Sequence, residues 1–195
     1  MKKINVRALV VTAIMGAIGF VLMLLEFPLP FIIPSFIKFD FSELPALITA
    51  FALGPWYGVG VCLIKNLLHL IDTHSMGVGE LANFLLGAVF VCVAGYIYKA
   101  GKTRKSALIS CIIGAAGMAA VSVPLNYFIV YPAYVKIYSM PMEAILDMYK
   151  ALRPAADTLI KDLLIFNLPF TFIKGIIDSA ICFAVYKRLS PIIKK

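Results

Sequence analysis

The chain has 195 residues, 62% of them hydrophobic and 14% charged, with 18 Lys and Arg against 10 Asp and Glu and a net charge of +8. A soluble domain carries about a quarter charged residues, so the composition excludes an ordinary water-soluble globular protein and makes lipid the main solvent. The positive charge is not read as a nucleic-acid signal, because in a membrane protein the position of charge informs more than its sum.

A helical span needs roughly 20 mostly apolar residues, and uncharged runs of that order lie at Ala8 to Leu25, Leu44 to Ile64, Leu81 to Tyr98 and Ser106 to Val135. The first follows Lys2, Lys3 and Arg7, as a signal sequence would. It lacks a small-residue cleavage site leading into polar sequence and is read as a retained first helix. The chain is thus expected to be all-α, a single membrane domain of six transmembrane helices at 5–26, 43–54, 57–72, 79–100, 105–128 and 157–188. Gly54-Pro55 is read as a tight turn between the second and third.

Eleven of the 18 basic residues then gather at the two termini and in the 99–105 loop. Nine of the ten acids fall near the opposite side. The positive-inside rule places both termini in the cytoplasm.

Between the first two helices runs FPLPFIIPSFIKFDFSE, residues 27–43, where Pro28, Pro30 and Pro34 forbid a continuous helix. Two readings are open, a loop capping a pocket or an interfacial anchor of aromatic residues. Helix 3 carries Lys65, Asn66 and His69, and helix 4 opens with Glu80 and Asn83; some of these are expected to satisfy one another. Asn126 and Tyr127 stand near the outer end of helix 5. The outer connection, about 129–156, is expected to hold a short interfacial helix acting as a lid or rim, because Met142, Ile145, Met148 and Leu152 recur at helical spacing.

In helix 6, Asn167, Thr171, Lys174 and Asp178 form a polar stripe, and an intramembrane ammonium is costly enough to require a partner. A local pair with Asp178, one turn on, is the plain alternative to a ligand contact. Small residues mark helix 1 (Ala13, Gly16, Ala17, Gly19) and helix 5 (Gly114, Ala115, Ala119), which lets helices approach closely, inside this chain or in a partner.

The four cysteines show no pairing pattern and are read as free thiols; no metal site is indicated. No phosphate-cradling Gly-rich loop and no Gly-x-Ser-x-Gly elbow is present, so the chain has no visible means of hydrolysing ATP and no catalytic residues are assigned. Three classes stay open. They are a solute-binding subunit powered by partners, a self-sufficient proton-coupled carrier using Lys65, Glu80 or Lys174, and a membrane enzyme, for which His69, His74 and Asp72 make a thin case.

The sequence resembles the substrate-binding S component of energy-coupling factor vitamin transporters, most closely the riboflavin-specific type. The likeness covers nearly the whole chain. It rests on Ala13-x-x-x-Ala17, Asp40-Phe41-Ser42-Glu43-Leu44-Pro45, Gly54-Pro55 with Gly58, Lys65-Asn66, Asn126-Tyr127-Phe128 before Pro132, and Pro169-Phe170 leading to Lys174-Gly175.

The resemblance implies a six-helix bundle that binds one vitamin, riboflavin or a related flavin, near the outer face under the 27–42 loop, as a transported ligand rather than a cofactor. It implies docking of Ala13, Gly16 and Ala17 on a transmembrane coupling subunit, with two cytoplasmic ATPase subunits. Lys174 and Asn126 carry over as ligand contacts, and Thr171 stands where the family leads one to expect an asparagine. A flat flavin ring suits apolar walls with a few aimed polar groups. Lys174 can donate to a ring carbonyl, Asn126 can donate and accept, and Phe39 or another loop phenylalanine can pack on the ring face. Asn83 and Asn167 are candidates for the ribityl hydroxyls, and Asp40 and Tyr127 complete the candidate set.

Overall fold

The computed structural model describes residues 5–137, 139–154 and 158–194. Lys2, Lys3, Asp157 and Lys195, used above for orientation, lie outside them, as do the side chains of Lys187, Arg188 and Lys194.

The architecture is all-α. Helix α1 spans Val6–Leu24, started by Asn5, whose side chain accepts from the Ala8 N–H at 3.1 Å. A small antiparallel ribbon follows, β1 (Phe27–Pro28) against β2 (Lys38–Phe39), with Phe27 opposite Phe39. Helices α2 (Glu43–Leu53) and α3 (Pro55–His69) meet at Gly54, whose φ of +121° suits glycine alone, and Pro55 opens α3 at the position where its missing N–H costs nothing. Then come α4 (Val78–Gly101), α5 (Arg104–Leu125), α6 (Tyr131–Ile137), α7 (Met142–Leu152), α8 (Leu159–Asp162) and α9 (Leu168–Lys194).

Among the described residues, four helical stretches are long and apolar enough to cross a membrane: Val6–Leu24, Val78–Gly101, Arg104–Ile137 and Leu159–Tyr186. Helices α2 and α3, at 11 and 15 residues, are shorter than a full span.

Two boundaries differ from the sequence reading. The fifth helix was expected to end at 128, yet it continues through a widened π turn, Asn126–Val130, into α6. The outer connection therefore begins after Ile137. A second π turn, Leu163–Asn167, joins α8 to α9. Each π turn closes on a residue followed directly by proline, Tyr131-Pro132 and Leu168-Pro169. A proline ring crowds the preceding turn and offers no N–H, and widening that turn lets the helix run on instead of breaking.

Glycines set the closest approaches. A Cβ at Gly16 would sit 2.5 Å from Ile64 Cγ2 on α3, and one at Gly175 would sit 2.8 Å from the Ala115 Cβ on α5. The small face of α5 thus packs α4 and α9 inside this chain. Two apolar clusters result. One, including Leu47, Phe51, Val61, Phe90 and Met118, joins α2 to α5 and α9; the other gathers Val130, Tyr131, Ile145, Tyr149 and Leu163 where α7 covers the π turns.

Candidate ligand-binding site

Between the two clusters lies a cavity of about 300 Å³, with Met118 of the first cluster and Val130, Tyr131 and Ile145 of the second among its walls. That volume is at the lower end of the range for small-molecule pockets. Met23, Phe36, Leu86 and Phe170 make further apolar wall. Polar groups enter at two levels.

At the deeper level stands a buried ion cluster. Lys174, on α9, gives its ammonium to Glu43 at the start of α2, with Asp40 Oδ2 at 3.5 Å and Asp178 Oδ2 at 3.8 Å. Lys65, fully buried on α3, reaches Glu43 Oε1 at 2.8 Å and also donates to Ser42. Asp40 Oδ1 accepts from the Ser42 N–H at 2.7 Å, which fixes the loop at the mouth of α2. Three carboxylates, from α2, α9 and the loop before α2, thus surround two ammonium groups, one from α3 and one from α9. The local i,i+4 pair with Asp178 is the loosest contact Lys174 makes, and neither Asp178 oxygen has a hydrogen-bond partner.

One turn outward along α3, about 6 Å, His69 Nδ1 meets Glu80 Oε1 at 2.9 Å, and Ser75 Oγ donates to Glu80 Oε2 at 2.5 Å. Asn66 donates to Asn83 Oδ1 at 3.2 Å. The expected mutual satisfaction is present in the His69–Glu80 and Asn66–Asn83 pairs, while Lys65 takes Glu43 on α2.

The roof involves α7. Its Ile145 and Tyr149 are fully buried, and Tyr149 Oη donates to Asn167 Oδ1 at 2.6 Å while Asn167 Nδ2 donates to Tyr131 Oη at 3.1 Å. The two phenols also touch each other. Burial pushes the Tyr149 phenol well above its ordinary value, so it remains a donor.

Of the residues singled out from sequence, Lys174, Asn126, Thr171, Asn83, Asn167 and Asp40 all line this cavity. Phe39 does not. It is buried and packs on Phe27, Phe41 and Phe170, so it supports the wall through Phe170. Tyr127 is also away from the cavity, exposed beside Phe128 on an outer hollow with Pro132 and Met142. Ala13 and Ala17 lie on the exposed flank of α1, whereas Gly16 is turned inward against Ile64 and is not available to a partner. Glu43 was absent from the candidates. The signal for it was the need of Lys174 for a counter-charge, but the partner lies 131 residues away in sequence.

Residues 7–186 match the family model described as "ECF transporter, substrate-specific component". The chain belongs to this family. It is 36% identical to the riboflavin transporter FmnP of Bacillus subtilis (strain 168), covering 98% of this chain and 96% of that one. It is 34% identical to the riboflavin transporter RibU of Staphylococcus aureus (strain TCH60), over 100% and 97%. A solved structure, described as "Structure and mechanism of the S component of a bacterial ECF transporter", superposes with a TM-score of 0.76 at 33% identity, covering 98% of this chain and 100% of that one. This S component is a transport subunit of the membrane, not an enzyme.

Proposed function

We propose that this S component binds riboflavin in the 300 Å³ cavity and delivers it to an energy-coupling module for ATP-driven import. The observation that carries the reading is the cavity itself, apolar in its walls with Lys174, Thr171 and Asn126 on its surface. The naming of the Bacillus subtilis and Staphylococcus aureus relatives as riboflavin transporters supports the choice of guest.

A flavin ring is a flat apolar body with carbonyl oxygens and an N–H along one edge. In this reading that edge faces the deeper level. Lys174 has three donors and commits one to Glu43, leaving others for a ring carbonyl. Asn126 spends one N–H on the Ser122 carbonyl at 2.7 Å and keeps its oxygen and second N–H for the guest. Asp40 holds the covering loop in register. Asn83, with the His69–Glu80–Ser75 group beside it, suits a polyhydroxyl chain, since Glu80 retains lone pairs beyond the two already used. Asn167, already committed on both sides to tyrosines, shapes the wall more than it contacts the guest.

The remaining arrangement follows the same reading. The single membrane domain crosses the bilayer six times with both termini cytoplasmic, α2 and α3 forming the short second and third crossings. Ala13 and Ala17 dock on a transmembrane coupling subunit, which two cytoplasmic ATPase subunits drive. The test is uptake of labelled riboflavin by cells deprived of their own carrier. Uptake should require this chain and the coupling module together. Uptake by this chain alone, abolished by collapsing the proton gradient, would instead establish a self-sufficient carrier.

A further inference from the structure

The loop over the cavity is apolar on both faces, and only the outer one departs from what a water-covered lid requires. Its inner side is conventional: Ile33 is fully buried and Phe36 and Ile37 line the cavity. The outer side is mostly hydrocarbon, with Ser35 the one exposed polar side chain between Glu26 and Lys38. Phe31 is 95% exposed, Ile32 57% and Phe27 41%. No charged residue occurs between Glu26 and Lys38, and those two pair with each other at the cavity's edge. A loop tip in water is ordinarily polar, and a contiguous exposed apolar surface marks something that covers it.

Two observations identify the cover as lipid. The exposed flank of α1, with Ile18, Val21 and Leu24, runs on through Leu25, and after the half-buried Glu26 the exposed apolar side chains resume at Phe27. That flank belongs to a candidate membrane span. The backbone of the loop is also suited to the interface. Ile32 and Ile33 N–H both reach the Leu29 carbonyl, Ile37 N–H reaches that of Pro34, and Pro28, Pro30 and Pro34 have no N–H to satisfy.

We infer that Phe27, Phe31 and Ile32 form a lipid-docking surface seated in the interfacial zone of the nearer leaflet, so that the bilayer covers the outer side of the lid. The inference is independent of which guest the cavity takes. Moving the lid then requires these side chains to leave the lipid or slide along it.

The chain has a single tryptophan, Trp56. A Trp56→Phe, Phe31→Trp protein in nanodiscs places one indole at the tip of the lid. Phospholipid brominated near the headgroup end of the acyl chain should remove about half or more of its emission, and aqueous iodide should quench it little. A Trp56→Phe, Ile32→Trp protein should respond the same way and serves if the first fails to fold. Quenching by iodide but not by bromolipid would show a water-facing lid and overturn the inference. Protection from both would show that protein, a second copy or a partner, covers the surface, and would overturn it equally.

Discussion

Lys174 holds Glu43, approaches Asp40 and Asp178, and still borders the cavity, so substituting it removes a structural cation together with a proposed ligand donor. Lys174→Met leaves an excess of buried carboxylate, and breaking such a pair costs about 3 kcal/mol or more. We expect a lower melting temperature and a loss of riboflavin affinity of about 100-fold, which is near 3 kcal/mol. Adding Glu43→Gln should recover part of the stability and none of the affinity, as read by thermal unfolding and flavin titration. Thr171→Val, a nearly isosteric change at a cavity-lining position, should weaken binding by about 1 kcal/mol without affecting unfolding. The stripe Asn167, Thr171, Lys174, Asp178 was visible in the sequence because helical spacing puts residues three and four apart on one face. The counter-ion of Lys174 was not, because tertiary packing brings Glu43 to it from another helix. Phe39 and Tyr127 illustrate the same limit, since aromatic character does not say whether a ring faces a cavity, another ring or the outside.

At the scale of elements, α7 is held over the cavity by one buried patch, Ile145 and Tyr149, with Tyr149 bonded to Asn167. Tyr149→Phe keeps the packing and deletes the hydroxyl, at a cost of about 1 to 2 kcal/mol. Hydrogen exchange of residues 142–152 should quicken, while the amides of α4 stay protected. The amphipathic spacing that marks α7 was legible from residues 142 to 152 alone. The π turns were not, because they answer to Pro132 and Pro169 inside helices that tertiary contacts keep running. Gly16 shows how packing decides between two readings of one pattern. Gly16→Ala should destabilise the α1–α3 contact by about 1 to 3 kcal/mol, with recovery when Ile64→Ala makes room, in a thermal unfolding series. If Gly16 served only a partner, the isolated protein would unfold unchanged.

For the molecule as a whole, low charge content and apolar run length carried the class and the helical architecture, because lipid leaves the backbone few alternatives to helix, while the prolines of residues 27–43 marked the loop without deciding between a cap on the cavity and an interfacial anchor. Two short helices meeting at Gly54 are the exception to the length rule, and there the turn residues said more than the hydropathy. The proposed orientation predicts that a cysteine placed at Thr103, in the 99–105 loop, reacts with an impermeant maleimide only after the cytoplasmic side is opened; labelling of intact cells would invert the topology. Many of the buried polar groups satisfy one another, yet space remains beside them, and the account depends on a guest filling it. Titration of the purified protein with riboflavin, followed by quenching of the flavin's fluorescence, addresses this most directly. The account predicts saturable binding of one flavin per chain, reduced by Lys174→Met and by Thr171→Val; a folded protein that leaves the fluorescence unchanged at every concentration would contradict it.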